Sequence, residues 1–274
     1  MTDLYAVMGN PINHSKSPAI HSQFADQAKQ DLVYSAMLVP TDAFEPTVKD
    51  FFKGSGKGLN ITVPFKEKAF QLAQQLTPRA QTAQAVNTLV LQEDGTVLGD
   101  NTDGAGLVRD LVMNQQVEIA GQKILVIGAG GAVRGILHPF LEQVPESITI
   151  VNRTFEKAQN LADSFKEFGE IEAKTFEELT GPYDVIINGT SASLSGELPP
   201  LPESVIATHT SVYDMMYGKE LTPFLKWAQN LGAAKVMDGL GMLVEQAAVS
   251  FEIWRGVKPN SQAVLADLRE QIAS

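Results

Sequence analysis

Residues 124 to 131 read Ile-Leu-Val-Ile-Gly-Ala-Gly-Gly, and a second apolar run, Ile148-Thr149-Ile150-Val151, follows one helix length later. A buried strand, a glycine turn, a helix and another buried strand make a βαβ unit, in which the two strands lie parallel and the crossover is right-handed. Glycines just past the first strand permit a tight turn and a close approach of backbone to ligand. The helix behind them offers free N–H groups and the positive end of its dipole, which suits a pyrophosphate. Gly128, Gly130 and Gly131 hold those places, interleaved with Ala129 and followed by Ala132. The third glycine of the usual G-x-G-x-x-G spacing would fall at position 133, where the chain has Val133, so the motif alone is moderately specific.

More of the same architecture surrounds this unit. Strands are expected at 184–188 and 211–213, separated by a proline-rich connection, with a short one at 236–237, giving a doubly wound sheet of four to six strands. The first hundred residues also alternate. Strands are expected at 4–8, 33–39 and 59–63, helices from Ser17-Pro18, at 42–52 and at 65–75, and a hairpin over 86–98 turning at Asp94-Gly95. Ser17 suits the N-cap of the first helix and Pro18 its first turn. Asp103 suits the cap of a helix over 104–113. Leu243, Ala247 and Phe251 recur at spacing four, so 241–254 reads as a helix packed on the first domain. The fold class is α/β with two domains.

Composition excludes several functions. A formal net charge of −11, from 21 basic and 32 acidic residues, argues against nucleic-acid or anionic-membrane partners, which recruit basic surfaces. Without cysteine there are no disulfides, thiolate metal sites or thiol nucleophiles, and the four histidines lack metal-ligand spacing. No apolar run approaches the roughly 20 residues needed to span a bilayer. Residues 1–10 have no basic start resembling a signal peptide, so a soluble cytoplasmic protein is expected.

At the end of the second strand of the glycine unit, NAD-specific sites place an acidic residue against the ribose hydroxyls. Here the chain reads Asn152-Arg153-Thr154, with Lys157 one helical turn on. A guanidinium and a hydroxyl with no neighbouring carboxylate favour a 2′-phosphate, hence NADP(H) over NAD(H).

Outside the nucleotide unit stand Ser15-Lys16-Ser17-Pro18, Asn60-Ile61-Thr62-Val63-Pro64-Phe65-Lys66, Ala85-Val86-Asn87-Thr88 and Gly99-Asp100-Asn101-Thr102-Asp103-Gly104. Later come Asn188-Gly189-Thr190-Ser191, Tyr213-Asp214-Met215-Met216-Tyr217 and Asp238-Gly239-Leu240-Gly241-Met242, running on to Gln246. This ordered set resembles the shikimate dehydrogenases, and the resemblance runs the length of the chain. Local departures are Gly135, where alanine is common, and Lys219, where proline often follows the tyrosine.

The resemblance implies a substrate domain over 1–103, completed by 240–274, and a Rossmann-like NADP-binding domain over 104–239, with catalysis in a cleft between them that closes on binding. It implies reversible NADPH-dependent reduction of 3-dehydroshikimate to shikimate, in aromatic amino-acid biosynthesis, without a metal. Lys66 and Asp103 would be the catalytic pair, either of them the proton carrier. An amino group held by a carboxylate suits protonation of a ketone oxygen. Ser15 and Ser17 would hold the substrate carboxylate, with Asn60, Thr62, Asn87, Tyr217 and Gln246 as further substrate contacts. Thr190, Ser191, Met215 and Gly239 match cofactor-contacting positions. Two rivals are a broader quinate/shikimate enzyme using NAD as well, and a non-catalytic ligand-responsive binding protein, which should lack Lys66 or Asp103. The expected assembly is a monomer or homodimer.

Overall fold

The computed structural model describes residues 2–192 and 196–273. The chain divides into two compact units, Met1–Gly106 with Val244–Ala266, and Leu107–Leu243 with Asp267–Ser274. The crossings lie three and four residues beyond the boundaries expected at 103 and 239, inside helices, and the last stretch joins the second unit instead of the first.

In the first unit, β1 (Asp3–Gly9), α1 (Ser17–Ala28), β2 (Leu32–Leu38), α2 (Phe44–Lys53) and β3 (Gly56–Ile61) form a βαβαβ start, with β2 and β3 parallel to β1 on either side. α3 (Lys66–Leu72), β4 (Gln75–Leu76), α4 (Pro78–Ala83), β5 (Thr88–Leu91), β6 (Val97–Asp100) and α5 (Asp103–Arg109) follow. The mixed sheet has the order β2-β1-β3-β5-β6-β4, and β5 and β6 form the expected hairpin, Gly95 taking φ +84° at its turn. Met8, Phe44, Leu59, Ile61, Phe65 and Leu89 are among the buried side chains of one face.

Three local expectations change. Ser17 is the first residue of α1 and not its cap: Lys16 stands there, with no side-chain capping bond. The helix expected over 65–75 is only α3, because 74–76 are drawn to the sheet edge, where Gln74 N donates to Val97 O at 3.0 Å and Gln75-Leu76 pair with β6. The helix expected to 113 loosens into a π-helical turn over Asp110–Asn114.

In the second unit, β7 (Lys123–Ile127), α6 (Gly131–Leu141), β8 (Ser147–Val151), α7 (Phe155–Asp163), β9 (Ile171–Lys174), β10 (Val185–Asn188), β11 (Ser211–Asp214), α8 (Pro223–Asn230) and β12 (Lys235–Asp238) build a six-stranded, wholly parallel sheet. Its order is β12-β11-β10-β7-β8-β9. The chain therefore winds outward from β7 in one direction and from β10 in the other, and the switch point between them is where such sheets bind ligands, at the carboxyl ends of the strands. β9 was not anticipated: Ile171-Glu172-Ala173-Lys174 is a short edge strand with one strongly apolar residue. Separate apolar clusters cover the two faces, Ile136, Leu137 and Phe140 of α6 in one and Phe224, Leu225 and Ala228 of α8 in the other.

α9 (Leu240–Arg255) begins in the second unit and ends in the first, and α10 (Ser261–Ala273) begins in the first and ends in the second. No helix among the described residues is long and apolar enough to cross a membrane.

Candidate active site

In the first unit, β1 and β3 lie side by side, and their carboxyl ends deliver two motif segments to one edge. The backbone of Gly9, ending β1, lies so near Thr62 that a Cβ there would stand 2.5 Å from Thr62 Cγ2. Thr62 is half-buried, and its N–H donates to Met8 O at 3.0 Å. After the turn at 62–65, Lys66 opens α3, and its carbonyl accepts from Val86 N at 2.9 Å, tying the lysine's turn to the strand that begins beyond Asn87.

Lys66 Nζ lies 2.5 Å from Asp103 Oδ2, the side chains 29% and 13% exposed. Asp103 is the first residue of α5, and its own N–H is served by Asn101 Oδ1 at 3.1 Å. As the first helical residue the aspartate is not the N-cap, and its carboxylate is left for Lys66 on one oxygen and for Asn87 Nδ2, at 2.9 Å, on the other. A backbone group decides which way the Asn87 amide faces. Thr102 N–H can only donate, and it lies 2.9 Å from Asn87 Oδ1, so the nitrogen must face Asp103.

Gln246 joins the same cluster. Its Oε1 accepts from Asn87 Nδ2 at 3.3 Å, and Gly106 permits this, since a Cβ there would stand 2.6 Å from Gln246 N. Ser15 and Ser17 lie at the start of α1, where Ser15 Oγ accepts from Ser17 N at 3.3 Å. Ser15 is half-buried and Ser17 buried.

Asn60 does not stand as an open contact. It is 6% exposed, its Oδ1 accepts from His21 Nε2 and Tyr34 OH, and its Nδ2 reaches Asn87 O, Thr88 Oγ1 and Ser250 Oγ. Both ends of its amide are committed to the protein, so it organises the site from beneath.

In the second unit the glycine turn sits at the switch point. Gly128 has φ +110°, a conformation side chains rarely adopt, and its N–H donates to Val151 O at 2.7 Å. Gly130 is the N-cap of α6 and has no side chain to cap it, and a Cβ on Gly130 or Gly131 would meet nothing within 4 Å. Ala132 is exposed and Ala129 half-buried. An open glycine turn at a helix N-terminus fits a pyrophosphate.

At the end of β10, Thr190 Oγ1 donates to Asn188 Oδ1 at 2.7 Å, and Asn188 Nδ2 donates to Asp214 Oδ1 at 3.2 Å. This places Thr190 Cγ2 3.1 Å from where a Cβ on Gly128 would stand, and exposed Ser191 follows. At the end of β8, Asn152 Nδ2 donates to Thr154 O at 2.9 Å, holding the turn that leaves Arg153, Thr154 and Lys157 exposed.

Met215 is buried after β11, and Gly239 lies against it so closely that a Cβ would stand 2.1 Å from Met215 O. Tyr217 is 36% exposed, and burial, with the Asp238 carboxylate, raises the pKa of its hydroxyl.

The sequence gives no role to Thr88, Asn188 and Asp214, although they stand in its motifs, nor to Ser250, which stands outside them. The signal for Ser250 was its place four residues after Gln246, on the same face of one helix; the others are polar residues at the ends of apolar strands.

A doubly wound parallel sheet with an open glycine turn, carried with a second α/β unit that presents an oriented lysine–aspartate pair, is the arrangement of a two-domain dinucleotide-dependent oxidoreductase. Residues 7–89 match the shikimate dehydrogenase substrate binding domain, 110–195 the shikimate/quinate 5-dehydrogenase family and 239–269 the shikimate 5′-dehydrogenase C-terminal domain. The chain is 56% identical over 268 residues to the shikimate dehydrogenase (NADP(+)) of Hahella chejuensis, covering 98% of this chain and 99% of that one. Among solved structures, an Ael1 enzyme from Pseudomonas putida superposes with a TM-score of 0.94 at 45% identity, covering 97% and 98% of the two chains. Shikimate 5-dehydrogenase from Thermus thermophilus, in complex with NADP(H) and shikimate, gives 0.88 at 30% identity, covering 98% and 99%. The chain belongs to the shikimate dehydrogenase family.

Proposed function

We propose that this chain catalyses the reversible NADPH-dependent reduction of 3-dehydroshikimate to shikimate, in aromatic amino-acid biosynthesis. The observation that carries the mechanism is the 2.5 Å contact of Lys66 with Asp103, whose second oxygen is held by Asn87. Reduction of a ketone needs hydride at carbon and a proton at oxygen; bound NADPH supplies the hydride. Lys66 and Asp103 carry the proton between them: the lysine ammonium donates toward the ketone oxygen while the carboxylate holds it in place, and the path reverses for oxidation. Ser15 and Ser17 bind the substrate carboxylate through hydroxyls beside the start of α1. Thr62, Asn87, Gln246 and Tyr217 contact the ring hydroxyls, and Asn60 supports them.

The residues present fit the dinucleotide: Gly128, Ala129, Gly130, Gly131 and Ala132 for the pyrophosphate, Thr190 and Ser191 as further cofactor contacts, and Met215 and Gly239 beside the nicotinamide. Half-buried Asn152 and exposed Arg153, Thr154 and Lys157 fit a 2′-phosphate. We place the enzyme in the cytoplasm as a monomer or homodimer, which sedimentation distinguishes.

The test is reduced-nicotinamide absorbance with shikimate or quinate, each with NADP⁺ or NAD⁺, for the unaltered chain and for Lys66→Ala. Activity concentrated on shikimate with NADP⁺, and a kcat loss of about 10²-fold or more for Lys66→Ala at unchanged NADP⁺ affinity, is expected. Full kcat in the variant removes Lys66 from the chemistry, and comparable rates with quinate or NAD⁺ move the chain to a broader specificity.

A further inference from the structure

Beneath the Lys66–Asp103 pair lies a set of buried polar side chains hydrogen-bonded to one another. Two backbone groups set the directions. Asn87 O, an acceptor, lies 3.2 Å from one end of the Asn60 amide, which must therefore be its nitrogen. The Asn60 oxygen then faces Tyr34 OH at 2.7 Å and His21 Nε2 at 3.1 Å, and both must donate to it. Thr102 N–H fixes Asn87 in the same way, with Oδ1 inward and Nδ2 toward Asp103.

Between these two amides sit two hydroxyls. Thr88 Oγ1 lies 2.8 Å from Asn87 Oδ1, and since that oxygen cannot donate, Thr88 gives it its single proton. Ser250 Oγ is 2.8 Å from Thr88 Oγ1, whose proton is already spent, so Ser250 is the donor of that bond, with Gln246 O at 3.1 Å and Thr102 Oγ1 at 3.2 Å also facing it. Asn60 Nδ2 gives one proton to Asn87 O and shares the other between the two hydroxyls, at 3.2 Å and 3.1 Å. Thr88 and Ser250 have no exposed surface.

We propose that Thr88 and Ser250 are positioning residues, the middle links of a one-way hydrogen-bond chain running from Tyr34 and His21 through Asn60 and Asn87 to Asp103. Every link donates toward the carboxylate, and bonds in series within a buried interior polarise one another. The chain holds Asn87 Nδ2 on one oxygen of Asp103 and leaves the other to Lys66. His21 suits the far end because burial keeps its ring neutral, with Nε2 as the donor. The inference rests on the proposed role of Lys66 and Asp103.

Thr88→Val keeps the side-chain shape and removes the links to Asn87, Ser250 and Asn60, whereas Thr88→Ser keeps the hydroxyl. The expected result is a kcat about tenfold or more below the unaltered enzyme for Thr88→Val, as for loss of a buried hydrogen bond. The KM for shikimate and the NADP⁺ Kd should move by less than about threefold, with Thr88→Ser staying within about threefold of full kcat. Ser250→Ala, measured alongside, should lower kcat by about threefold to tenfold and serves should Thr88→Val fail to fold. Unchanged kcat in folded Thr88→Val or Ser250→Ala overturns the proposal, as does an equal loss in Thr88→Val and Thr88→Ser. Lys66→Ala measured in parallel separates the two readings. If it is inactive while Thr88→Val and Ser250→Ala are not impaired, the chain alone is wrong; if it keeps full kcat, the role of the pair itself is wrong.

Discussion

The departure from the glycine fingerprint at Val133 makes a quantitative prediction. In the usual motif a third glycine on the helix lets helix and strand approach closely. Here the helix carries a buried valine, and the small residue has moved to the facing strand end. A Cβ on Gly189 would stand 2.3 Å from Val133 Cγ2, about 1.1 Å inside the 3.4 Å at which ordinary contact begins. Val133 cannot turn aside easily, because a β-branched side chain in a helix has essentially one rotamer. Gly189→Ala must therefore shift α6 against β10, at a cost of about 2–3 kcal/mol, the upper part of the range for overpacking. Removing the clashing methyl should relieve it. Val133→Ala alone destabilises by leaving a void, but the double variant should be more stable than the sum of the two losses by about 1–2 kcal/mol. Scanning calorimetry of the four proteins reads this, at about 2–4 °C per kcal/mol for a domain of this size. Additivity within about 0.5 kcal/mol would refute the exchange of sizes between positions 133 and 189.

Other expectations concern charge. His21 is wholly buried, and burial lowers its pKa from the ordinary 6.5 to about 3, against a raising effect of its bond to Asn60. Between those values the unfolded chain binds a proton that the folded one does not, so stability falls as pH falls, by about 1.4 kcal/mol per pH unit from this group. Urea midpoints of His21→Gln should lose that share of the slope; an unchanged slope would show that His21 is not neutral in the fold. Asp100 is buried, and although burial raises its pKa, Arg79, Thr77 and the Asn101 N–H together bring it below the usual value. Its stabilisation is present above pH 3.8 and lost as pH falls through the depressed value. Arg79→Met leaves that charge unpaired and should cost about 3–5 kcal/mol at neutral pH, read by thermal melting; a loss below about 1 kcal/mol would deny the pair its role. Arg153→Ala should weaken NADP⁺ binding by about tenfold or more, on the order of one lost charge-assisted contact, with NAD⁺ little affected. Titration showing equal losses would exclude a 2′-phosphate contact.

Much of this protein follows from order along the chain alone. Apolar runs ending in glycine placed β7, the Gly128 turn and β8, because a buried parallel strand and a positive-φ turn each demand particular residues at fixed positions. The ordered motifs gave the family and, through Lys66 and Asp103, the two side chains that the fold brings to 2.5 Å. Tertiary structure decided what those residues are free to do. Asn60 stands in a motif beside Thr62 and looks equally available, yet Tyr34, His21, Thr88 and Ser250 occupy both ends of its amide. Asp103 resembles a helix cap, but α5 begins on it, with Gly106 N–H on Thr102 O, and its carboxylate goes to Lys66 and Asn87. Val133 reads as a broken fingerprint, until Gly189 meets it across the sheet. In each case the deciding partner is distant in sequence or differently aimed in space. Spacing determines which residue types lie at the end of a strand; hydrogen-bond direction and close packing, which exist only once the strands are paired, determine the function each retains.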